Sequence, residues 1–260
     1  RYRQLVRMSQ GVSPQLQAMA RLRLSEMLSC QGQDKLAIVT LVELYKTRRF
    51  LPPESAYAEV PARLAVAYSR EGNKKQAERY FKEAEAGYSR LMAQASSREK
   101  KPLLAKTLFY MGNMKHLNPD RLSGSDYFQT VRALQPYLFR SLETGVDPWT
   151  ALATDQIQDA YRNVWAYIDK PIPGDLTPLE QRNRLTEKRE VARQALDSIR
   201  ELYRIHVPTP DEKSKEVKIV FSFLRRTETQ IENYLAANRV GTDLTEEAKK
   251  ASDVRQEIPK

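Results

Sequence analysis

Residues 60–91 read VPARLAVAYSREGNKKQAERYFKEAEAGYSRL, and this stretch decides the fold. Leu64, Ala65 and Tyr68 stand at i, i+1 and i+4, one face of a helix. Gly72-Asn73 then stops that helix, because glycine takes the left-handed cap conformation without steric cost. Ala77, Phe81, Ala84 and Tyr88 follow at helical spacing and form a second apolar stripe. The small Ala65 and Ala77 let the two helices approach, with Tyr68 and Phe81 filling the space beside them. The product is an antiparallel hairpin. One hairpin cannot bury both of its faces, so neighbours of the same kind are expected.

The order Leu64-Ala65, Tyr68, Gly72, Ala77, Phe81, Ala84 resembles the tetratricopeptide repeat, although Pro61 stands where that family has a tryptophan. The skeleton recurs upstream as Leu24-Ser25, Leu28, Gly32, Ala37, Leu41 and Leu44. Downstream it returns as Leu104-Ala105, Leu108 and Gly112-Asn113. The turn glycines thus fall at 32, 72 and 112. That spacing exceeds the family's period of about 34 residues, and the surplus is assigned to longer connections at 48–59 and 95–102. The resemblance implies an all-α fold of stacked helix hairpins, an α-solenoid.

Beyond Gly112 the turn glycines cease. Turn residues at 116–124 precede an expected helix over 125–143, with Pro136 inside it as a kink or an early stop. Further helices are expected over 150–169, 177–205 and 212–238, separated by Gly145-Val146-Asp147-Pro148, Pro171-Ile172-Pro173-Gly174 and a breaker at 207–211. Three parts result: repeat hairpins over 1–145, longer divergent hairpins or a capping bundle over 146–240, and a loosely held polar tail over 241–260, with one short helical stretch at 245–255.

Composition supports helices and removes several chemistries. Nine glycines in 260 residues is roughly half the usual share of about 7%, too few for many tight turns or phosphate loops. The single Cys30 excludes an internal disulfide and any Cys-based structural zinc site. His116 and His206 read as surface residues, and no GxxxxGK[ST], GxGxxG, HExxH, CxxC or GxSxG motif is present. No apolar run approaches the ~20 residues of a membrane-spanning helix. The expectation is a non-enzymatic protein without cofactor or metal. A net charge of +10 favours anionic partners, and a basic cluster stands at Arg98, Lys100 and Lys101.

If the hairpins stack as the resemblance implies, the first helix of each lines a concave face. This places Leu22, Arg23, Glu26 and Ser29 there, then Arg63, Val66 and Arg70, then Lys106, Phe109 and Tyr110. The family's carboxylate clamp needs Lys and Asn at offsets that here hold Leu22 and Glu26, Ala62 and Val66, Pro102 and Lys106, so it is absent. Trp149, after Asp147-Pro148, is an additional candidate anchor. The expected function is a scaffold that binds an acidic and apolar segment of another protein, through Arg23, Arg63, Val66, Arg70, Lys106, Phe109, Tyr110 and Trp149. The alternatives are a basic helical repeat that binds nucleic acid and an accessory domain of a larger enzyme. The high charge and the start at Arg1 favour a bacterial envelope or periplasmic piece of a longer chain over a cytoplasmic one.

Overall fold

The computed structural model describes residues 2–8, 11, 13–94, 97–113, 123–205 and 215–238. His116, His206, the breaker at 207–211 and the segment 241–260 lie outside the described residues, as do the side chains of Arg98, Lys100 and Lys101. The described residues form α1 (Tyr2–Met8), α2 (Pro14–Cys30), α3 (Asp34–Lys46), α4 (Val60–Arg70), α5 (Lys74–Ala93), α6 (Ser97–Gly112), α7 (Gly124–Glu143), α8 (Trp149–Asp169), α9 (Pro178–Ile205) and α10 (Lys215–Ala237), with no strand among them. Helices adjacent in sequence pack on one another from α1 through α8. The order breaks after that: α10 packs on α8 more extensively than α9 does, and α9 reaches back to α7.

Two hairpin turns are built identically. Gly32, at φ +69°, donates its N–H to the Ser29 carbonyl, and Gln33 donates to Leu28. Gly72, at φ +78°, donates to Ser69, and Asn73 donates to Tyr68. Both are Schellman caps, in which a left-handed residue lets the chain satisfy the last helical carbonyls. Gly112 is different. It ends α6 in helical conformation, and a Cβ there would lie 2.5 Å from the Leu138 side chain. Glycine at 112 serves the close packing of α6 on α7 rather than a turn, which corrects the third member of the 32-72-112 series.

The long spacing has a concrete origin. The segment 48–59 holds a 3-10 turn (Arg48–Phe50) and a π-helical turn (Ser55–Glu59) that continues into α4. Within the segment 95–102, the described residues 97–102 are the first turns of α6. Much of the extra length is therefore helical: the π turn extends α4 and residues 97–102 open α6. Pro136 does not stop α7 either: it is exposed, on the solvent side of an unbroken helix, where water can satisfy the carbonyl that loses its donor.

α4 is the central helix of the first half. Val60, Pro61, Ala62, Arg63, Leu64, Ala65, Val66 and Ala67 are all buried, as expected for a helix apolar on nearly every side. Leu64, Ala65, Ala77 and Ala84 of the repeat skeleton lie in the interior, while Tyr68 and Phe81 are half-buried. Tyr80 is the buried aromatic of α5, its ring stacked on Tyr68 at 5.6 Å. One core joins α2, α3, α4 and Tyr80 with Leu134 of α7. A larger one runs from Tyr127 to Ile231 across α7, α8, α9 and α10. Position 145 is therefore not a packing boundary: α7, placed with the first part from sequence, supplies Phe128, Phe139 and Leu142 to the second core.

Candidate functional site

Four segments distant in sequence meet at one cleft of about 440 Å³. α2 contributes Met19, Leu22, Arg23 and Glu26, and the π-helical turn contributes Ser55 and Glu59. Lys106 comes from α6, Pro148 from the α7–α8 connection, and Trp149 from the first position of α8. Helical spacing puts Met19, Leu22, Arg23 and Glu26 on one face of α2. The break at Gly145, with φ +68°, turns the chain so that Trp149 arrives beside α6.

The polar floor is a chain of charges. The Lys106 ammonium lies 2.8 Å from Glu26 and 2.8 Å from Glu59. Glu26 also accepts from Arg23 at 3.0 Å, and Glu59 accepts from the Ser55 hydroxyl at 3.0 Å. Arg63 stands 3.6 Å from Glu59 and donates to the Leu22 carbonyl at 3.2 Å. One Arg63 nitrogen, Nη2, is buried without a hydrogen-bond partner. Burial pushes the Glu26 carboxyl up, but the hydrogen bond and charge of Lys106, then Arg63 and Arg23, outweigh it and hold the group below its usual range. Glu26 is thus ionised at neutral pH.

The wall is aromatic. Trp149 packs at 5.6 Å from Phe109 and 5.8 Å from Tyr110, and Lys106 lies 5.4 Å from the Trp149 ring centre. Tyr110 lies under the Arg63 guanidinium at 5.5 Å, and burial raises its phenol to about 12, so it stays a neutral hydroxyl.

Of the residues expected at a partner surface, Arg23, Lys106 and Trp149 line this cleft, with Phe109 and Tyr110 packed behind Trp149. Arg63 and Val66 are corrections: at 3% and 5% exposure they belong to the interior. α4 is packed on too many sides to offer a free face there, and Arg63 spends its charge on α2 and Glu59. Arg70 is exposed and 3.5 Å from Asp34, where it braces the first two hairpins and takes no part in the cleft. Sequence reasoning missed Met19, Ser55 and Glu59. Glu59 had a signal, since it stands four residues before Arg63 in a helix-forming stretch.

Among the described residues, no group of three or more His, Cys, Asp and Glu could hold a metal ion, and no helix is long and apolar enough to cross a membrane. Cys30 is exposed. No family model matches the chain, no curated protein matches it, and no solved structure matches it.

Proposed function

We propose that the protein is a non-enzymatic scaffold, an array of helix hairpins of the tetratricopeptide kind, which binds a segment of another protein in the cleft beside Trp149. The observation behind this reading is the convergence of residues 19–149 on one cleft that joins an aromatic wall to a charged floor. A half-buried tryptophan at such a place supplies much contact area for little conformational entropy, as binding anchors do. The identical caps at Gly32 and Gly72 support the repeat reading, because the same backbone solution recurs at the same place in two hairpins.

The test is capture of a partner by the intact protein and by Trp149→Ala. With far-UV circular dichroism unchanged, the variant should lose most of the capture, and wild-type capture should persist as salt is raised. Unaltered capture by Trp149→Ala moves the binding face elsewhere. A steep fall with log[salt] favours nucleic acid instead.

A further inference from the structure

The described residues that line the cleft carry four charges, and these balance: Arg23 and Lys106 against Glu26 and Glu59. They are also committed to one another. Arg23 and Lys106 lie 3.0 and 2.8 Å from Glu26, and Lys106 lies 2.8 Å from Glu59. Arg63 adds no charge to the lining, because it is 3% exposed and set against Glu59, the Leu22 carbonyl and the Tyr110 ring. The rest of the lining is uncharged. Met19, Leu22, Pro148 and Trp149 are apolar, and the Ser55 hydroxyl donates to Glu59 and keeps its oxygen as an acceptor. Apolar surface runs on beyond the cleft. Leu16 stands one turn before Met19 on α2 at 49% exposure, and Leu152 one turn after Trp149 on α8 at 41%.

We propose that the partner segment held in this cleft is uncharged and apolar, with one large apolar side chain entering against Met19 and Trp149 and its apolar neighbours lying on Leu16 and Leu152. This rests on the scaffold reading above and names the chemistry of its partner. A charged side chain of either sign leaves the lining unbalanced by one. It also gives up its own hydration and competes with ion pairs already made. The Lys106, Glu26 and Glu59 side chains are only 13%, 20% and 11% exposed, so water screens that conflict weakly. An apolar side chain incurs neither cost, and the Ser55 oxygen accepts from a backbone N–H beside it. The net charge of +10 then acts at long range, on the rate of encounter, and does not select what sits against Trp149.

The experiment titrates the full chain with four capped hexapeptides and follows the Trp149 indole N–H in proton–nitrogen correlation spectra. Trp149 and Trp165 are the two tryptophans, and Trp149→Phe assigns their signals. The peptides share an uncharged frame and carry Phe-Asn, Phe-Asp, Phe-Lys or Ala-Asn at the centre. Phe-Asn should bind about tenfold more tightly than Phe-Asp or Phe-Lys, with Ala-Asn weaker still. Arg23→Gln leaves a surplus negative charge on the lining and should move the preference toward Phe-Lys. Glu26→Gln leaves a surplus positive one and should move it toward Phe-Asp. Each variant is compared once its far-UV circular dichroism matches wild type, and the wild-type order decides alone if neither folds. Phe-Asp or Phe-Lys bound at Trp149 as tightly as Phe-Asn overturns the uncharged-segment proposal and leaves the scaffold reading standing. An order that neither folded variant changes, or Ala-Asn bound as tightly as Phe-Asn, overturns it as well. If none of the four peptides shifts the Trp149 signal, this proposal and the cleft reading fall together.

Discussion

At the residue scale, Lys106 shows what a charge does when helices close around it. Its ammonium joins α2, through Glu26, to the turn that precedes α4, through Glu59. Lys106→Met would leave two poorly solvated carboxylates facing each other, which should cost on the order of 3 kcal/mol in a denaturant melt. Neutralising all three positions, as Glu26→Gln, Glu59→Gln and Lys106→Met together, should recover much of that loss. An additive sum of the single losses would show that the three groups do not act as a unit. The pH dependence has a definite sign. The Glu26 carboxyl is lowered in the folded state from a reference of 4.5, so it contributes stability above that value and loses it as the pH falls through the lowered one. Wild type should exceed Glu26→Gln in melting temperature at neutral pH, and the gap should close as the pH falls below the reference value and through the lowered one. A gap that persists in acid would mean that the charge is not its source. The sequence brought Glu26, Arg63 and Lys106 to one expected face, but not the ion pairs that Lys106 makes there. The charge at Arg63 suggested a groove, although the apolar residues on either side of it, from Val60 to Ala67, fit a helix buried on nearly every side.

At the element scale, the sequence showed which segments are helical and where α2 and α4 end, because glycine caps and apolar spacing are local properties. It did not show how closely helices approach. α5 was read as a stripe of Ala77, Phe81, Ala84 and Tyr88, whereas the buried stripe is Ala77, Tyr80, Ala84, Gly87 and Leu91. Gly87 decides the register. A Cβ there would lie 1.9 Å from the Tyr57 carbonyl oxygen, so the π-helical turn packs directly onto the α5 backbone. The π turn ends two residues before Pro61, whose nitrogen cannot donate. Gly87→Ala should therefore destabilise despite its better helix propensity, by about 1–3 kcal/mol or more, since the obstacle is backbone that cannot rotate away. Gly72→Ala meets open space and costs only the strain of its positive φ. Thermal melts of the two variants side by side check the order; a stabilised Gly87→Ala would mean that α5 and the π turn are not in this contact.

At the scale of the whole molecule, α7 joins the two halves. It packs on α6 with Gly112 against Leu138, and it gives Tyr127, Phe128, Val131, Phe139 and Leu142 to the core of α8, α9 and α10. Inside that core the Tyr161 hydroxyl donates to Gln135, and Gln135 donates to Ser198, both at 2.8 Å, which ties α7, α8 and α9 together. A division at 145, suggested by the sequence because repetition fades there, cuts this core and also removes Trp149 from the cleft. A chain truncated after residue 145 would expose those five α7 side chains, each worth about 1.5–3 kcal/mol when fully buried. It should fold poorly and bind a hydrophobic dye that the full chain ignores. Dye binding and thermal melts of the truncated and full chains check this. A truncated chain that melts cooperatively and stays dye-free would show that α1 to α7 close a core of their own, and that repeats alone hold the first half together.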